Sequence, residues 1–131
     1  MARLLSVCYS RQMHPFPAAS DLQFLIGKEL EQIGLGYWQI QFNFDGARII
    51  ADGDIEHVAS DGAVRRHNTD AQRLAPIYLH HLLGQRVRAL NVDAHCLTIM
   101  FVGGDMVRIF GDDGAYECGQ IYNGDILIAV F

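Results

Sequence analysis

The sequence predicts a mainly β fold: a pseudo-duplicated antiparallel sandwich or partly closed barrel, with one main helix at about 70–83. Three observations carry this. Short apolar runs alternate with a period of two, Asp-Gly and Gly-Gly pairs punctuate them, and the pattern of residues 20–60 returns at 77–117. An α+β arrangement of the same elements is the alternative.

The elements follow in order. Met1 to Tyr9 holds one positive charge and a short apolar run, and Arg11 follows soon after. That is too little for a signal peptide and far too short to span a bilayer, so it reads as a strand or docked arm. Pro15 and Pro17 exclude helix from 14–19. Ser20 and Gln23 form a capping-box pattern, predicting a short helix through Phe24 and Leu25 that stops at Gly27. Tyr37–Phe44 is the clearest strand, with Trp38, Ile40, Phe42 and Phe44 on one face. Asp45-Gly46 turns it into Ala47–Ala51. Ile55–Ser60 and Ala63–His67 form a second hairpin about Asp61-Gly62.

Thr69 and Gln72 repeat the capping-box pattern ahead of the main helix. Pro76 belongs to its first turn or kinks it, and Gly84 ends it. Strands resume at Arg86–Val92, His95–Val102, Asp105–Phe110, Tyr116–Tyr122 and Ile126–Phe131, with a turn at Asp112-Asp113-Gly114. The last run is apolar on both faces. It is expected mid-sheet, inside the core, or under a partner subunit.

The two halves align at a spacing of fifty-seven residues. Leu25-Ile26-Gly27 meets Leu82-Leu83-Gly84, Leu30 meets Val87, Ile33 meets Leu90, and Ile40, Phe42 and Phe44 meet Leu97, Ile99 and Phe101. After a one-residue slip, Asp45-Gly46 meets Gly103-Gly104 and Ile49 meets Val107. Shared glycines and core positions argue for an internal repeat within a single domain over 1–131.

Leu82-Leu83-Gly84-Gln85-Arg86-Val87, the Leu97-x-Ile99-x-Phe101-x-Gly103-Gly104 hairpin, Val107-x-Ile109 and Tyr116-Glu117 together resemble a family of small uncharacterised bacterial β-rich domains. The likeness covers about fifty residues well. The chain departs from it at Gly119, where that family tends to place Trp. The resemblance implies a β-rich fold and no established activity. Such domains sit near toxin–immunity loci, which implies a binding role.

Composition narrows the function classes. Half the residues are apolar, enough for a core. Net charge is −5, and the ten basic residues, nine of them Arg, are scattered, with Arg65-Arg66 the sole adjacent pair. No basic stripe exists to displace counterions, so neither a nucleic-acid partner nor a membrane is expected. Cys8, Cys96 and Cys118 are odd in number and form no C-x-x-C pair, so they read as reduced thiols in a cytoplasmic protein.

No catalytic or cofactor motif is present, and no catalytic residue, metal ligand or cofactor is assigned. Cys96 and Cys118 read as buried, inert thiols. Among six histidines, His80 and His81 are adjacent on a helix and diverge. His57 and His67 face each other across the 61–62 hairpin, with Asp54 or Glu56 able to complete a site. The Asp112–Glu117 group has the wrong spacing for a calcium loop and reads as a turn, with Glu117 in solvent or paired to an arginine such as Arg108. The expected role is a non-catalytic binding or assembly module, a homodimer with a possible further protein partner. One alternative is a small-ligand or metal-binding protein, or an enzyme, with a site between the sheets at His57, His67, Tyr116 and Glu117. Another is an immunity-type protein that neutralises a toxin through its acidic surface.

Overall fold

The computed structural model describes residues 15–68, 78–111 and 117–131. The described strands are β1 (Leu30–Leu35), β2 (Ile40–Phe44), β3 (Ala47–Ala51), β4 (Asp54–Val58), β5 (Val64–Asn68), β6 (Val87–Asp93), β7 (Cys96–Phe101), β8 (Met106–Phe110), β9 (Gly119–Asn123) and β10 (Ile126–Val130). They form two antiparallel five-stranded sheets, ordered β1-β2-β3-β9-β10 and β5-β4-β8-β7-β6, and neither closes into a barrel. Each sheet is a three-strand meander extended by a hairpin from the other half of the chain. After β3 the chain crosses so that β4 pairs with β8; after β8 it crosses back so that β9 pairs with β3. The Asp52 N–H donates to the Cys118 carbonyl at 2.8 Å, tying the two crossovers together.

The alternation seen in the sequence sets the faces. Ile40, Phe42 and Phe44 of β2 are buried, as are Leu97, Ile99 and Phe101 of β7. Leu22 and Leu25 match Leu79 and Leu82, all fully buried. Each such side chain stabilises the fold by about 1.5–3 kcal/mol relative to an exposed one. Both β1 and β6 carry a bulge at matching places, between Leu30 and Gln32 and between Val87 and Ala89.

The two meanders meet at a bridge between Glu29 and Arg86. Its hydrogen bonds are reciprocal. Gly27 N–H donates to Val87 and Gly84 N–H to Leu30, both at 2.8 Å, while Leu30 N–H donates to Gln85 and Val87 N–H to Lys28. Gly27 and Gly84 adopt φ of 84° and 86°, a left-handed turn that a side chain would strain. The shared glycines of the sequence therefore mark one turn made twice.

Several expectations need correction. The short first helix is a 3-10 helix, Ala19–Leu25, capped by Ala18 without a side-chain bond. Ser20 lies inside it, and Gln23 donates to the Ala19 carbonyl instead of closing a capping box. Within the span expected for the main helix, the described residues form a 3-10 helix, Leu79–Leu82. Residues 69–77, with the Thr69–Gln72 pattern and Pro76, lie outside the described residues, as do 1–14 and the 112–114 turn. Trp38 precedes β2 and is exposed, because Gly36 N–H bonds the Gln39 carbonyl in a tight turn that delays the strand. β10 lies at the edge of its sheet, not in the middle. No helix among the described residues is long and apolar enough to cross a membrane.

Candidate functional site

The described core contains three buried polar side chains: His57 (1% exposed), His67 (5%) and Asp105 (7%). Their positions follow from strand register. His57 pairs with Val107 of β8 and Arg65 of β5, while His67 pairs with Ile55. Asp105 immediately precedes β8, and its carbonyl accepts from Phe101 N–H at 2.9 Å. Side chains two apart on a strand share a face. Asp105, His57 and His67 thus form one diagonal across β8, β4 and β5 on the core side.

His57 Nε2 lies 2.9 Å from Asp105 Oδ2. A carboxylate only accepts, so Nε2–H donates and Nδ1 of a neutral His57 keeps its lone pair. His57 Nδ1 and His67 Nε2 are both buried without a partner. Such atoms are uncommon in folded proteins and are destabilising by about 1–3 kcal/mol each. Burial first, then the neighbouring His57 and Arg65, hold the His67 pKa below the usual value of 6.5.

The sequence placed His57 and His67 directly opposite; the hairpin register makes them diagonal neighbours. The expected completing ligands, Asp54 and Glu56, are wrong in direction. They fall between the buried residues of β4, on its outer face, where Glu56 meets Arg108 at 2.7 Å and Arg66 at 3.8 Å. Asp54 bonds Asn68 and Arg66 there. Asp105 was missed, although the alternation through Val107 and Ile109 already assigns it to the core face. Among the described residues, no group of three His, Cys, Asp or Glu side chains could hold a metal ion.

Of the described residues expected around one ligand, His57 and His67 are buried in the core and Glu117 is on the surface. Glu117 is exposed at the β8–β9 crossover and accepts from Gln120, not from Arg108. There it adds to burial in pushing the Asp52 carboxyl above its usual pKa. Tyr116 lies outside the described residues. An open groove of about 300 Å³, lined by Gly53, Asp54, Asn68, Phe110, Gly111 and Cys118, runs along the same rim. Burial pushes the Cys96 thiol pKa up, leaving little thiolate near neutrality. His80 and His81 stack edge to face at 4.5 Å on the second 3-10 helix.

The sheet edges form the other feature. β1 carries Glu31, β5 carries Arg65 and Arg66, and β6 carries Arg88 and Asp93, whereas β10, Ile-Leu-Ile-Ala-Val, carries no charge. Ile126 is 67% exposed and Leu127 48%. Gly119 and Phe131 exchange both backbone bonds, so Val130, opposite Gln120, turns its N–H and C=O away from β9.

No family model, no curated protein and no solved structure matches this chain.

Proposed function

We propose that this chain is a non-catalytic assembly module, two copies of one unit closed on each other, which joins a second copy of itself edge to edge through β10. The observation that carries this is the uncharged, apolar and exposed β10 edge beside three charged ones. Edge charges oppose strand addition, and β10 has none. A charged partner strand would find no counter-charge on it. A second β10, running antiparallel, offers matching Ile and Leu side chains and outward-turned backbone groups, and the contact closes after two copies. The reciprocal bonds about Glu29 and Arg86 and the matched bulges support the two-copy reading.

Sedimentation velocity at tens of micromolar is the test. The chain is expected at twice its 14.6 kDa mass. Ile126→Lys with Leu127→Lys, both at exposed positions, is expected to give a monomer with an unchanged circular dichroism spectrum. Val130→Pro removes an outward N–H and is expected to give the same result. A wild-type chain that stays monomeric, or a lysine variant that still dimerises, overturns the proposal.

A further inference from the structure

The Asp105–His57–His67 row has a counterpart in the first sheet that shows what the fold itself requires. Ala47 pairs with Phe44 as Asp105 bonds Phe101; Ile121 pairs with Ile49 as His57 pairs with Val107; Phe131 bonds Gly119 as His67 pairs with Ile55. Those three residues, Ala47, Ile121 and Phe131, are buried and apolar. The architecture therefore closes without any polar group on this diagonal. The second sheet nevertheless holds two imidazoles, one carboxylate and two orphaned nitrogens there.

We propose that this row is an acid-sensitive latch, holding β5 on β4 while the His67 imidazole is neutral and releasing it when that ring takes up a proton. The surroundings set the direction. One carboxylate, Asp105, faces two imidazoles and sits against His57. His67 faces His57 from β4 and shares its own strand face with Arg65, whose guanidinium lies 4.3 Å from the Tyr78 ring centroid. Among the described residues every other buried side chain is apolar, and His80 and His81 on the second 3-10 helix are exposed. A proton on His67 therefore places positive charge in the core next to Arg65, while the one carboxylate of the row is bonded to His57.

β5 is the element able to move. It is an edge strand bound on one side to β4, whereas β4 is held on both sides. On its outer face the Asn68 amide donates to Asp54 at the end of the strand, while Arg66 reaches Asp54 and Glu56 only through partly exposed pairs at 3.5 and 3.8 Å. The sign is fixed by His67, which binds a proton less readily docked than released. Docking is at full strength above about pH 6.5, the ordinary histidine value, and weakens as pH falls below it.

The test is amide hydrogen exchange on the whole chain at about pH 7.5 and about pH 5.5, corrected for intrinsic exchange. Protection over Val64–Asn68 is expected to drop tenfold or more at the lower pH, while the β1–β2 hairpin keeps its protection. His67→Gln, which keeps polarity but does not titrate, is expected to abolish most of that difference. So is H57I/H67L/D105A, which carries apolar residues as the first sheet does; Leu stands in for Phe because Ile55 has a side chain where Gly119, beneath the Phe131 ring, has none. Equal loss in both hairpins, no loss, or the same loss in folded variants overturns the latch. Should the variants fail to fold, the wild-type imidazole resonances of His67 and the β5 amide shifts are expected to titrate together, and separate midpoints overturn it.

Discussion

The two sheets share one strand plan but differ along one diagonal. In the first, Ala47, Ile121 and Phe131 pack as a dry row; in the second, Asp105, His57 and His67 occupy the same places. The difference extends to volume. Gly119 has no side chain because Phe131 lies over it, while Ile55, its counterpart, has one because His67 leaves room. A core position is thus defined by its opposite neighbour as much as by its own strand. The edges differ in the reverse sense: the polar sheet has a charged outer strand, β5, and the apolar sheet an uncharged one, β10.

The largest expected effect comes from moving a charge across this comparison. Ala47→Asp puts a carboxylate where Asp105 sits in the other sheet, but Ile121 there offers no imidazole. Denaturant unfolding is expected to show a loss of about 3–5 kcal/mol, the penalty of an uncompensated buried charge. Asp105→Ala removes the bond to His57 and is expected to destabilise by about 1–3 kcal/mol, the range for leaving one buried partner unsatisfied. Equal losses for the two changes would mean that His57 gives Asp105 no support.

A smaller effect is expected at Gly119. A Cβ there would run into the Ile50 carbonyl and the Phe131 ring, and the carbonyl, fixed in the β3 ladder, cannot give way. Gly119→Ala is therefore expected to cost about 1–3 kcal/mol, as overpacking does. The same experiment in Gly119→Ala with Phe131→Leu separates ring from backbone: recovery of most of the loss identifies the ring as the obstacle, and no recovery identifies the carbonyl.

These residues also show what can be read from a chain without neighbours. The period of two in Ile40–Phe44 and Leu97–Phe101, and the glycines at 27 and 84, are local signals, and they located strands, core faces and turns. The exchange of hairpins between sheets was not legible, because β4 with β8 and β9 with β3 are non-local pairings that leave no mark on either strand alone. The His57–His67 relation was half legible. The hairpin fixes their shared face, but the two-residue step in register depends on how the chain turns at 59–63, where Ala59 N–H bonds Ala63. Asp105 escaped notice because a lone acid beside a Gly-Gly turn reads as a turn residue until Val107 and Ile109 are counted with it.

The smallest effect sharpens the comparison on the outer faces. Glu56 on β4 pairs with Arg108 on β8, and its counterpart on β9, Gln120, pairs with Ile50 on β3. The first pair is a 2.7 Å ion pair on a partly exposed face, and the second is uncharged. Glu56→Gln therefore gives β4 the residue that β9 already carries. Its expected effect is a loss of about 0.5 kcal/mol at low salt, in the range for partly exposed pairs, shrinking as salt screens the wild-type attraction. Gln120→Glu is the reverse change and is expected to give no gain, since Ile50 offers no cation opposite. A gain from Gln120→Glu would locate the stabilisation in the β9 and β4 positions themselves, and its absence locates it in Arg108.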